Sequence, residues 1–234
     1  MARRVLLLST STVFGTGYLE HALPEIEDFL GSARSVLFVP FALKDHAGYA
    51  HRARRVLEAT GRSFVSLHEA RSHAEAIGGA EALFVGGGNT FRLLDSLYRL
   101  DLLGLIRSRV AGGMPYCGSS AGSNVAGPTI RTTNDMPIVE PPSLTALGLV
   151  SFQINPHYVD PGPGSRHMGE TREERLLQFH EENETPVVAL REGAILRVED
   201  DSVVLRGIAG ARIFRRDHAP VEVSPGAPLE GFLS

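Results

Sequence analysis

Short apolar runs bounded by turn-forming residues recur through the first half of the chain, at positions 5–9, 36–40, 63–67, 82–85 and 114–117. Each has the length and apolarity of a strand buried on both faces of a parallel sheet. Between them, 18–30, 46–60 and 90–110 carry apolar residues at helical spacing. Strand alternating with helix predicts a doubly wound α/β fold, a mostly parallel sheet with helices on both faces. After residue 126 the rhythm breaks into a polar loop, Pro128 through Pro137, and then Pro141-Pro142. A strand-like 150–154 leads into Asn155-Pro156-His157, a glycine- and proline-rich stretch at 160–169, and a helix from about 171 to 183. The tail alternates strand and turn at 186–190, 194–198, 202–205, 211–214 and 221–223, which predicts a C-terminal antiparallel meander. No linker divides the chain, so 1–234 is expected to be a single domain.

Ligands of such sheets bind at the carboxyl ends of the strands. Two glycine-rich turns fall there: Gly86-Gly87-Gly88-Asn89-Thr90 and Gly118-Ser119-Ser120-Ala121-Gly122. The second is a G-x-S-x-G run, in which flanking glycines let a strand turn sharply into a helix and leave the central side chain exposed. Ser120 at a helix N-terminus could act as a nucleophile, with the unpaired N–H of Ala121 facing the oxyanion. In a chain with 25 glycines, chance writes such a run in about one sequence in five. The serine therefore needs partners.

His157 follows Pro156 at a strand end, and the proline biases Asn155 toward extended geometry, which fixes where the imidazole is presented. An imidazole suits proton transfer near neutrality. The third member should be a carboxylate that orients the base. Glu192, between a strand end and Gly193, is preferred because a strand end holds a side chain rigidly; Asp135 in the polar loop is the alternative.

Composition narrows the remaining classes. At 43% hydrophobic residues, with no apolar span of about 18 residues and no export segment, the chain is expected in the cytoplasm, away from membranes. A net charge of −4 and the absence of tryptophan give no footprint for nucleic acid, and Arg52, Arg54 and Arg55 look like a solvated helix face. The single Cys117 permits no internal disulfide or multi-thiolate metal site. His157, Asp160, His167 and Glu170 could supply metal ligands, but their spacing matches no standard motif. The Gly86 turn lacks the lysine of a phosphate loop. Neither metal nor cofactor is expected, and the chain should act as a monomer or homodimer.

Several segments together resemble peptidase E, the aspartyl dipeptidase family of serine peptidases. They are Glu20-His21-Ala22-Leu23-Pro24, Gly86 through Phe91, Ser120-Ala121-Gly122, Pro128 through Val139, Gln153 through His157, and Gly169-Glu170-Thr171-Arg172-Glu173. The resemblance implies a fold like the class I glutamine amidotransferases and hydrolysis of Asp-Xaa dipeptides. It also implies Ser120, His157 and Glu192 as nucleophile, base and acid. That chain order differs from the α/β-hydrolases, whose acid precedes the histidine. On this reading Gly88 N–H joins Ala121 N–H in the oxyanion hole. Arg172, or else Arg131, would take the aspartate β-carboxylate, Asn89 the substrate backbone or ammonium, and Asp135 or Glu170 the ammonium. The family pattern has a larger aromatic residue where this chain has Ser119, which puts the packing of the pocket in question. Two other readings are cyanophycinase-like cleavage of β-aspartyl linkages and a non-catalytic amidotransferase-like binding module.

Overall fold

The computed structural model describes residues 3–160, 162 and 169–233. Five parallel strands, β1 (Arg4–Leu8), β2 (Ser35–Val39), β3 (Ser63–Ser66), β4 (Leu83–Val85) and β5 (Tyr116–Ser119), lie in the order β3-β2-β4-β5-β1. Alternate residues of these strands feed two different cores, as the two-residue period of a strand requires. Leu6, Leu8, Val36, Phe38, Phe84 and Cys117 pack against α1 (Leu23–Leu30) and α2 (His46–Glu58). Val5, Leu7, Leu37, Val39, Leu83 and Tyr116 pack against α3 (His73–Gly79), α4 (Thr90–Arg99) and α5 (Leu103–Ala111). The strand at 63–67 is not buried on both faces as expected: β3 is the sheet edge and exposes alternate residues.

Two expected helices are divided. The 18–30 stretch begins as a 3-10 turn at Glu20–Ala22 and becomes α1 only at Leu23, with Pro24 in the first turn, where its missing N–H costs nothing. The 90–110 stretch stops at Arg99 and restarts at Leu103, because Asp101 takes a left-handed φ of 53°.

The C-terminal strands do not form one meander. β8 (Ala194–Glu199) and β9 (Ser202–Gly207) continue the main sheet, β8 pairing antiparallel with β1 and covering what would be its open edge. β6 (Gln153–Tyr158), β7 (Val187–Arg191), β10 (Ala211–Phe214) and β11 (Val221–Val223) form a second sheet in the order β11-β10-β7-β6, with β6 and β7 parallel. Its small core of Tyr158, Val187, Ala189 and Phe214 includes Leu176 from α7 (Arg172–Glu182). The chain crosses between sheets at Glu192-Gly193, where Gly193 takes φ 88°. Among the described residues no helix is long and apolar enough to cross a membrane.

Candidate active site

Ser120 stands between β5 and the short α6 (Ala121–Asn124), with φ 51° and ψ −109°, a conformation that non-glycine residues rarely adopt. Neighbouring contacts hold it there. A Cβ on Gly118 would overlap the Gly122 carbonyl, and one on Gly122 would overlap the Val85 carbonyl. Ser120 N–H donates to Leu8 O at 3.0 Å, and Ser123 Oγ lies 2.7 Å from Leu8 O and 2.9 Å from Gly118 O. The flanking glycines are thus required by close approach of backbone. Ser119 is fully buried, its hydroxyl has no partner among the described residues, and it does not line the cavity in front of Ser120.

His157 and Glu192 come from the second sheet. β6 carries one extra residue against β7 between Asn155 and Tyr158, a bulge occupied by Pro156 and by His157 at φ 55°. The bulge turns the imidazole toward the main sheet. His157 Nε2 lies 2.9 Å from Ser120 Oγ, and Nδ1 lies 2.9 Å from Glu192 Oε1. An ionised carboxylate only accepts, so Nδ1–H donates to Glu192 and Nε2 is left to accept from the serine hydroxyl. Both side chains are partly open to water, 38% for His157 and 55% for Glu192.

Ser9, fully buried just past β1, joins the two halves. Its Oγ accepts from His157 N–H at 3.0 Å and donates to Leu190 O at 2.8 Å, while its own N–H donates to Ala194 O. The polar loop supports the bulge as well. Asn134 Nδ2 donates to Pro156 O, Asn155 Nδ2 donates to Thr132 O and Asn134 Oδ1, and Thr132 Oγ1 donates to Ile154 O.

In front of Ser120 is a cavity of about 470 Å³, a size that suits a small ligand. Gly88, Asp135 and His157 line it with Ser120. Among the described residues, neither Gly88 N–H nor Ala121 N–H has a hydrogen-bond partner, so both remain available to an oxyanion. Gly88 takes φ 134° and packs against Ala42 so closely that a side chain there would overlap it.

The remaining expected residues separate. Asp135 does not reach His157; its Oδ2 accepts from Thr90 N–H at 2.8 Å and Thr90 Oγ1 at 2.6 Å, and its Oδ1 has no hydrogen-bond partner among the described residues. Arg172 opens α7 behind a Thr171–Glu174 capping box. Burial holds its guanidinium below the ordinary arginine pKa, Arg175 adds to the effect, and the nearby Asp135 opposes it. Asn89 is occupied, capping α4 through Oδ1 and donating from Nδ2 to Met136 O. Neither Arg172 nor Arg131 lines the cavity, and Arg131 is exposed. Glu170 is engaged by Gln178 and Arg175. Of the possible metal ligands, Asp160 is held bidentately by Arg191, and His167 lies outside the described residues. No group of three potential ligands converges among the described residues.

Sequence reading missed Ser9, the Thr10-Ser11-Thr12 loop, and Tyr18, Tyr49 and Arg52; all of these but Ser9 line the cavity. The carboxyl-end rule applied to β1 would have found the first group. Arg52 offered no signal beside Arg54 and Arg55.

The model of peptidase family S51 matches residues 5–206. The chain is 55% identical to a protein named "Peptidase E" from Streptomyces coelicolor, over 98% of this chain and 94% of that one. It is 50% identical to "Probable alpha-aspartyl dipeptidase" from Drosophila melanogaster, over 99% and 98%. A crystal structure of a peptidase from an acI-B1 Actinobacterium superposes with a TM-score of 0.72 at 17% identity, over 97% of this chain and 96% of that one. That last likeness concerns the fold.

Proposed function

This chain belongs to peptidase family S51, and from that premise we propose that it is a serine dipeptidase that hydrolyses peptides with an N-terminal aspartate. The observation that carries the reading is the relay Ser120 Oγ–His157 Nε2, His157 Nδ1–Glu192 Oε1, both links 2.9 Å. Ser120 attacks the scissile carbonyl while His157 takes its proton, and the imidazolium is stabilised by Glu192. Gly88 and Ala121 N–H groups bind the oxyanion, a contribution of about 10²–10³-fold per donor. His157 then protonates the leaving amine, and water, deprotonated by His157, releases aspartate from the acyl-enzyme.

Asp135 Oδ1 takes the substrate ammonium and Arg172 the β-carboxylate. The proximity of these two residues suits charges that sit on one amino acid. Asn89 and Glu170 are left to structural roles by their existing bonds. We also place the activity in the cytoplasm and in one domain that serves as monomer or homodimer; all three relay residues lie on one chain, so a second copy is not needed to complete it.

The test is turnover of Asp-Leu, Leu-Leu and β-Asp-Arg by the wild type and Ser120→Ala. Hydrolysis of Asp-Leu alone, lost by about 10⁴-fold or more in the variant, is expected. Turnover of β-Asp-Arg alone would transfer the same relay to β-aspartyl linkages, and turnover of none would leave a binding module.

A further inference from the structure

We propose that Arg52 receives the free carboxylate of the leaving residue, so that the site reads the C-terminus of a dipeptide as well as its N-terminal aspartate; this rests on the peptidase reading above. Arg52 lines the same cavity as Ser120, Gly88 and His157. Its guanidinium lies over the Tyr49 ring, 5.5 Å from the centroid. The Tyr49 hydroxyl accepts from Gly87 N–H at 2.7 Å, and a Cβ on Gly87 would stand only 3.0 Å from Ser120 Cβ. The cation is therefore referenced to the nucleophile through one stacked ring and one hydrogen bond.

Charge matching assigns its partner. An Asp-Xaa dipeptide carries one ammonium and two carboxylates. Asp135 and Arg172 answer the two charges on the aspartate, and the remaining carboxylate lies across the scissile bond. Among the described residues Arg52 is the one arginine or lysine that lines the cavity, Arg172 being near the lining residue Asp135 without lining the cavity itself, and no described carboxylate pairs with Arg52, whereas Arg54 on the same helix pairs with Glu69 at 2.9 Å. A planar guanidinium suits a terminal carboxylate in bidentate contact.

The shape of the surface makes this charge decisive. A second cavity of about 460 Å³ shares Tyr18 and Arg52 with the first and continues past them along Leu23, Val56 and Ala59. A longer peptide has room to run on, so selection of chain length falls to what stands at Arg52: a carboxylate from a dipeptide, a neutral amide from anything longer.

The experiment compares kcat/KM for Asp-Leu and Asp-Leu-amide in the wild type, Arg52→Met, Arg52→Lys and Arg172→Met, with Tm measured for each. The wild type is expected to favour the free acid by about 10–100-fold, the range for a hydrogen bond to a charged group. Arg52→Met brings that ratio close to one, mainly by raising KM for Asp-Leu, and Arg52→Lys keeps part of it. A wild-type ratio near one, a ratio unchanged in Arg52→Met, or one that collapses in Arg172→Met instead would overturn the assignment. Failure of the wild type to cleave Asp-Leu at all would overturn the peptidase reading, and this inference with it.

Discussion

Ser120, at the end of the main sheet, is held by backbone packed into contact, whereas His157 and Glu192, at the end of the second sheet, are held by hydrogen bonds and a turn. Around Ser120 the carbonyls of Val85 and Gly122 leave no room for a single added carbon at Gly122 or Gly118. Around His157, the bulge rests on hydroxyl and amide side chains from Ser9, Asn134 and Asn155, and both His157 and Glu192 meet solvent. Steric constraint tolerates nothing and fails at once; hydrogen-bonded support loses its parts one by one. The nucleophile's region should therefore respond to mutation as all or none, and its partners' region by degrees.

The largest effect is expected from Gly122→Ala. The new methyl group would have to displace the Val85 carbonyl, costing about 3 kcal/mol or more. Urea unfolding should show a lower midpoint, and Asp-Leu turnover should disappear. A stable, active Gly122→Ala protein would break the contrast.

Next comes Glu192→Gln, expected to lower kcat by about 10²–10³-fold. A fully buried triad carboxylate is worth about 10⁴, but water reaches Glu192 and takes over part of the imidazolium's stabilisation. Asp135→Asn should act differently, raising KM more than it lowers kcat, since Asp135 reaches Thr90 and the cavity rather than His157. Equal kcat losses in the two variants would blur the assignment of the acid.

The smallest effect on turnover is expected from Ser9→Ala. It leaves His157 N–H and Leu190 O without their buried partner, at about 1–3 kcal/mol for each unsatisfied group. Steady-state kinetics should show kcat down by about tenfold with KM little changed, since the imidazole loses its aim while the cavity keeps its walls. A rise in KM alone would show that Ser9 does not position the base.

How far the sequence revealed this follows the same division. The first five strands and the Ser120 turn are legible because burial on both faces leaves continuous apolar runs, and close backbone approach leaves glycines. Pro156 marked the bulge, and Gly193 marked the turn that carries Glu192. The distribution of the C-terminal strands between two sheets was not legible, because hairpin spacing looks the same whichever sheet receives it. Asn89 and Glu170 looked like ligand contacts, but caps and ion pairs within the chain use the same polar atoms. Ser9 and Arg52 gave no local signal; their roles depend on residues more than 30 positions away or on the shape of the cavity.

The central claim is that residues from the two sheets act as one unit, and the most direct measurement is a double-mutant cycle on kcat for Asp-Leu with Ser120→Ala, His157→Ala and the pair. If His157 serves only to move the proton of Ser120, the double variant should be no slower than Ser120→Ala alone, both reduced by about 10⁴-fold or more. Losses that multiply in the double variant would show that the two residues act independently, and would contradict the relay.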